Sequence, residues 1–224
     1  MAVVTGIFSA RMIADLNASG SILTSKPFDD DQVQPASLDL RLGDIAYRVR
    51  ASFLPGPGKA VKDRINDLKL HQIELSVGAV LERGCVYIVP LMESLNLPKG
   101  VSATTNPKSS TGRLDIFTRV ITDQGRAFDT VPAGYQGQLY LEVSPRTFPV
   151  LVRQGSRLSQ IRFREGDTRL NVAEHQALHK EQTLVFDENA PVDNGVALSI
   201  DLKGGDRGGL IGYRSKRHTA VVDV

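Results

Sequence analysis

The sequence predicts a mainly β domain, a sandwich or distorted barrel with a short helix near its N-terminus, followed by a tail of different character. Three observations carry this. SLDLRLG, residues 37–43, alternates strictly, with Leu38, Leu40 and Leu42 on one face and Asp39 and Arg41 on the other. That is the period of a half-buried strand. From there to about Arg164 the chain falls into short apolar runs bounded by Gly, Pro, Asn or Asp. Such punctuation suits many short strands better than alternating strands and helices. After Gly166 the runs give way to turn-rich stretches such as KGGDRGG.

The elements follow in order. SARMIADLN, residues 9–17, spaces Met12, Ile13 and Leu16 as one face of a helix, with Ser9 placed as N-cap and Gly20 beyond the end. Asp29 to Asp31 read as a solvated loop, and SFLPGPGKA as a Pro/Gly loop. AVLERGCVYIVPL, GVSATTNP, DIFTRVIT, GQLYLEVSP, FPVLVRQG and LSQIRFRE read as strands. ALSIDL alternates as a further strand, and the closing AVVDV is strand-like. DENAPVDNG between them reads as a turn or linker. There is no internal repeat. These signals place a first domain at residues 1–166 and a C-terminal extension at 167–224. The chain stops inside AVVDV without a cap, so a longer parent protein stays open.

At 224 residues and 41% hydrophobic, the chain can bury a sizeable core as one large domain or a domain with an extension. A net charge of +2 is too small to argue for a nucleic-acid polymer or a membrane surface. The lone cysteine, Cys85, excludes an internal disulfide framework and fits a reducing compartment. MAVVTGIFSARM lacks the basic and apolar regions of a signal peptide. No run approaches the ~18 apolar residues that span a bilayer. The expectation is a cytoplasmic protein.

Two stretches carry candidate chemistry. KSSTGR, residues 108–113, gathers Lys108, Ser109, Ser110, Thr111, Gly112 and Arg113. Hydroxyls and backbone N–H groups donate to phosphate oxygens, and the cations add charge-assisted bonds. The glycine would let the backbone turn tightly or come close. A polar turn explains the same residues, and GxxxxGK[ST] is absent. The second stretch is RAFDTVPAGYQGQLYLEV. Asp129 precedes a Pro- and Gly-rich turn, and Glu142 follows Leu139, Tyr140 and Leu141 on a strand. A carboxylate inside so apolar a strand is unusual. Buried, it would suit proton transfer; facing water, it would be an ordinary strand residue.

Metal and nucleophile chemistry find little support. The histidines are His71, His175, His179 and His218; His175 and His179 share a helical spacing, but no HExxH occurs. Zinc nucleobase deaminases need HxE and PCxxC, which one cysteine cannot supply. No GxSxG marks a hydrolytic serine.

QPASLDLRLG, KSSTGRLD, the FD…GYQGQLYLEV block and QGSRLSQIRF occur in this order. The ordered set resembles the dCTP deaminase branch of the dUTPase-like superfamily, over about Gly6 to Arg164. The resemblance implies a distorted jelly roll or β-barrel, assembled as a homotrimer with sites shared between subunits. It implies hydrolytic deamination of dCTP to dUTP and ammonia without zinc, with Mg2+ carried on the triphosphate. Glu142 would be the general base and acid. Ser109 and Ser110 would contact phosphate or the reacting centre, within a segment, Lys108 to Arg113, that binds the triphosphate. Arg113 would cross a subunit boundary to help hold the catalytic water. Asp129 would lie beside the sugar, Gln160 would bind nucleotide, and Tyr140 and Leu141 would line the pocket through their backbone.

Three departures stand out. Lys108 replaces an arginine, keeping charge but losing bidentate contact. TDQGRAFDTVPAGY is longer than the usual turn, so the register of residues 122–129 stays open, as does a role for Arg126. The tail that closes over the phosphates has only Tyr213 and Lys216 as candidates, and the chain's end is more like the middle of longer members in which a second related domain follows. Residues 167–224 are therefore an extension or the start of that domain. Two other functions remain: a dUTP pyrophosphatase or bifunctional enzyme giving dUMP, with Asp129 activating water, and a catalytically inactive nucleotide-binding module.

Overall fold

In the computed structural model, the alternation of SLDLR becomes a strand whose leucines enter the core and whose Asp39 and Arg41 are buried on the other side. The structure describes residues 5–186, 192, 195–205, 208–213 and 220–224; Lys216 and His218 lie outside them. The chain runs β1 (Gly6–Ile7), α1 (Ala10–Ala18), β2 (Ile22–Thr24), β3 (Val33–Gln34), β4 (Ser37–Arg41), β5 (Ile45–Val49), α2 (Val61–Leu68) and β6 (Lys69–Glu74). It continues through β7 (Ala79–Leu81), β8 (Val86–Asn96), β9 (Val101–Pro107), α3 (Ser109–Arg113), β10 (Ile116–Thr122), β11 (Thr130–Val131) and β12 (Gln136–Pro145). Then come β13 (Val150–Val152), β14 (Arg157–Glu165), α4 (Val172–Gln182) and β15 (Val222–Asp223).

The fold is mainly β, as expected. One sheet has the order β11-β9-β14-β4-β3, with β1 on β14; a second has β10-β12-β8-β5-β6, with β2 on β8. A small third sheet joins β15, β13 and β7. The main core lies between the two large sheets. Leu38, Leu40, Ala103, Ile161 and Phe163 face in from the first, and Ala46, Val89, Leu91, Val120, Leu141 and Val143 from the second. Burial of these side chains, about 1.5–3 kcal/mol each, is the main favourable term. The helix α1 begins after Ser9 as read, although that side chain makes no capping bond; Ile13 and Leu16 face the core.

The chain divides into two units, Met1–Gly166 with Lys216–Val224, and Asp167–Ser215. In the second, α4 carries His175 and His179 and is capped reciprocally: Glu174 N donates to Asn171 Oδ1 (3.0 Å) and Asn171 N to Glu174 Oε2 (2.8 Å). The strand expected in ALSIDL does not form, and Leu198, Ile200 and Leu202 are exposed. Alternation sets the faces of a strand but cannot supply the neighbour it must pair with. AVVDV does pair, with β15 parallel to β13. Among the described residues no helix is long and apolar enough to cross a membrane.

A second, smaller cluster decides the site. It joins Val49, Phe53, Val61, Ile65, Ile88, Ile121 and Tyr140 on the outer face of the second sheet. The segment between β5 and β6, of which SFLPGPGKA reads as a Pro/Gly loop, also contains α2, whose Val61 and Ile65 are buried. Those two residues are four apart and anchor one helical face against the sheet.

Candidate active site

On β12 the inward face is Leu139, Leu141 and Val143, and the outward face is Tyr140, Glu142 and Ser144; all six are buried. The alternation therefore points Glu142 away from the main core, and the second cluster then covers it, to 1% exposure. The water-facing reading of Glu142 is thereby excluded. Its neighbours across the sheet are Arg119 on β10 and Ile88 on β8. Arg119 donates to Glu142 Oε1 from Nε (3.1 Å) and Nη2 (2.6 Å). Glu142 Oε2 is buried with no hydrogen-bond partner.

Asp129 lies beside this pair. Its φ of 58° is in the left-handed region, which Asp tolerates better than most residues. Oδ1 accepts from the Val120 N–H and the Thr105 hydroxyl, both at 2.8 Å. Burial pushes its carboxyl above the usual aspartate range, against the pull of those two donors and of Arg119, and with Glu142 adding to the rise. Burial also pushes the Tyr140 phenol up to about 12, so it stays neutral at physiological pH. Leu141, next to it, points into the main core.

The hydroxyl and cation segment forms a second group. KSSTGR is a short helix, α3, with Lys108 as its N-cap. Thr111 is buried and roots it, while Ser109, Ser110, Gly112 and Arg113 are exposed. A Cβ at Gly112 would meet nothing within 4 Å, so neither a tight turn nor a close approach within the chain demands glycine there. Lys108, Ser110, Thr111, Leu114, Arg157 and Asp223 line a cavity of about 520 Å³. Lys108 Nζ contacts the buried carboxylate of Asp39. Arg157 forks onto Asp31 with two bonds of 2.9 Å and comes within 3.8 Å of Asp39. Gln160 pairs in register with Asp39 and Asn106, and its Oε1 accepts from Ser37 Oγ at 3.2 Å.

The structure thus brings Glu142, Tyr140 and Asp129 together, and separately Lys108, Ser110 and Thr111. No hydrogen bond or ion pair joins the two groups, and Arg113 has no such partner among the described residues. The arrangement offers a buried carboxylate with one bare oxygen, fit for proton transfer. Apart from it lies a set of cations and hydroxyls fit for an anion.

Residues 4–167 match the family described as 2'-deoxycytidine 5'-triphosphate deaminase (DCD) N-terminal domain. The chain belongs to the dCTP deaminase family. Residues 171–224 match that family's C-terminal domain. A crystal structure of 2'-deoxycytidine 5'-triphosphate deaminase from Agrobacterium tumefaciens is 64% identical, superposes with a TM-score of 0.91, and is covered over 66% of its length by 98% of this chain. The chain therefore spans about two thirds of that relative. A dCTP deaminase of Halorubrum lacusprofundi is 32% identical over 163 residues, 71% of this chain and 77% of that one. A relative from Hydrogenobaculum named dCTP deaminase, dUMP-forming, is 28% identical over 163 residues, 72% of this chain and 83% of that one.

Nothing local in the sequence singles out Arg119, Asp39 or Arg157 as site residues. Arg119 sits in TRVIT, and its meaning comes from lying directly opposite Glu142 in the ladder. That register depends on the length of the turn between β10 and β12. Asp39 stood out only as the polar member of an alternating strand.

Proposed function

We propose that the chain deaminates dCTP hydrolytically to dUTP and ammonia, with Glu142 as general base and acid. The observation that carries this is Glu142 itself, a buried carboxylate fixed at Oε1 and bare at Oε2. Water attacks C4 of the cytosine ring, forming a C–O bond as the C4=N3 electrons move to N3. Glu142 Oε2 takes one proton from the water and passes it to N3. It then takes the second from the new hydroxyl and passes it to the N4 amine. The C4–N4 bond breaks, ammonia leaves, and the ring is left as uracil. One carboxylate serves both transfers because each proton is returned before the next is taken. Ser109 and Arg113 would orient the water and stabilise the developing charge. Gln160, Lys108 and Ser110 would hold the nucleotide, with Asp129 at the sugar. A coupled assay of ammonia release from dCTP tests this; dCTP binding without ammonia would refute it.

Around Lys108 the groups facing the cavity are mostly hydroxyls and cations, donors for phosphate oxygens rather than ligands for a hard cation. Among the described residues no cluster of His, Cys, Asp and Glu could hold a metal ion. Mg2+ would be held by the triphosphate, where it would screen charge that Lys108, already on the Asp39 carboxylate, leaves unbalanced.

Among the described residues Arg113 is exposed and makes no hydrogen bond or ion pair with Glu142, which is consistent with a site completed between copies of a trimer. Mixing Arg113→Ala with Glu142→Gln under subunit exchange should then restore about a quarter of the sites at equal amounts, since each contributing chain is right about half the time. No recovery, despite mixed trimers seen by mass spectrometry, would place both residues in one chain's site.

A second reading is a bifunctional enzyme that continues to dUMP. Asp129, whose carboxyl is raised by burial, could activate water at the α-phosphate, and one similar relative is named dUMP-forming. Pyrophosphate would then accompany ammonia.

A further inference from the structure

We infer that Arg119 is a positioning residue for Glu142: it selects Oε1 as the anchored oxygen and leaves Oε2 as the working one. The inference rests on the proposed role of Glu142.

The pairing has an unusual geometry. An arginine that serves only structure commonly meets a carboxylate as a fork, one N–H to each oxygen. Here Nε and Nη2 converge on Oε1, at 3.1 and 2.6 Å, and Oε2 is buried without a partner. A bare carboxylate oxygen inside a protein is costly, so a purely structural pair would be expected to satisfy it. The ladder makes the contact short and direct, because Arg119 and Glu142 are opposite each other on antiparallel strands.

Arg119 is itself held on three sides. Its guanidinium stacks 3.6 Å from the centre of the Phe128 ring, and the Phe117 ring centre is 4.9 Å away. Nη2 also donates to Ser52 Oγ at 2.8 Å. Ser52 belongs to the segment before α2, and that segment is tied to the turn after β10. Gly56 N donates to Gly125 O (3.2 Å), Gln124 N to Lys59 O (2.9 Å), and Val61 N to Asp123 Oδ1 (2.7 Å). The next residue along the strand holds the other carboxylate, through the bond from Val120 N to Asp129 Oδ1. One dipeptide of β10, Arg119–Val120, therefore fixes both carboxylates of this group.

Arg119 does not take or give a proton in this scheme. Its removal should misplace Oε2 without weakening the nucleotide contacts, so kcat should fall while KM holds. Displacing a catalytic group by about 1 Å can cost on the order of 100-fold. The test measures ammonia release from dCTP by wild type, Arg119→Ala and Arg119→Lys. We expect Arg119→Ala to lose about 100-fold in kcat with KM within about threefold. Arg119→Lys, which can still donate once to Oε1, should recover at least part, as should guanidinium ion added to Arg119→Ala. Because Arg119→Ala leaves a buried carboxylate unpaired, Arg119→Ala/Glu142→Gln serves as a folding control. A second readout needs no turnover: the side-chain carboxyl carbon NMR signal of Glu142, assigned by its absence in Glu142→Gln. It should shift or broaden in Arg119→Ala and return towards its original position in Arg119→Lys. An unchanged kcat or an unmoved carboxyl signal in Arg119→Ala would overturn the inference. If wild type itself released no ammonia, the proposed function would fail, while the carboxyl signal would still decide the role of Arg119.

Discussion

Glu142→Gln is expected to abolish ammonia release from dCTP, by at least about 100-fold, the lower end of what general acid–base catalysis contributes. Binding of dCTP should stay within about tenfold of wild type, because the substitution removes a proton acceptor and little volume. Glutamine fits the same space between Arg119 and Ile88 and can still offer an amide oxygen to Arg119. Arg119, itself partly exposed and bonded to Ser52, loses its charged partner without becoming a sealed, unpaired cation. Single-turnover chemistry beside calorimetric binding separates the two effects. Turnover of more than a few per cent with the glutamine in place would remove Glu142 from the reaction.

The largest expected effect on stability lies elsewhere, at Glu93. Arg41 and Glu93 are both almost wholly buried and bonded to each other, Nε to Oε1 at 2.8 Å. Glu93 also accepts from the Arg41 backbone N–H (2.8 Å) and from Gln32 Nε2 (2.9 Å). Arg41 in turn gathers the 24–27 segment through Thr24 Oγ1, Lys26 O and Pro27 O. Glu93→Ala leaves the buried arginine only the half-exposed Asp29 as an ionic partner, Nη1 to Oδ1 at 3.6 Å, and breaking a buried pair on one side costs roughly 3–5 kcal/mol. In a chain of this size that is a fall in Tm on the order of 10 °C. Thermal unfolding followed by circular dichroism would show it. The double variant Arg41→Met/Glu93→Leu should be milder, since no charge is left unpaired. A Glu93→Ala protein melting within about 2 °C of wild type, well below that expected shift, would mean that the pair contributes little.

Much of the architecture is written in local patterns. The strict alternation of SLDLRLG and the helical spacing of Met12, Ile13 and Leu16 each specify a period, and the short, turn-bounded apolar runs of β8, β10, β12 and β14 suit strands by their length. What escapes is what depends on neighbours. VKDRINDL, behind a Pro/Gly stretch, offers only Val61 and Ile65 as a helical face, too sparse a pattern to mark a helix without the outer cluster that face covers. The same cluster decides whether Glu142 is wet or buried, a matter on which the alternation of its own strand is silent. ALSIDL shows the converse, a strand pattern with no ladder to join among the described residues. The functional segment KSSTGR is legible as a donor set, but its shape is not. Thr111 turns inward and Arg113 outward because the segment folds as a short helix, a shape its residue types do not specify.

In the proposed reaction a water molecule attacks the cytosine ring under the control of Glu142. Turnover of dCTP in water enriched in the heavy oxygen isotope tests it most directly, with the product nucleotide read by mass spectrometry base by phosphate. One heavy oxygen is expected in the uracil ring for each ammonia released, and none in the ring with Glu142→Gln. Label found only on phosphate, with the cytosine intact, would contradict it.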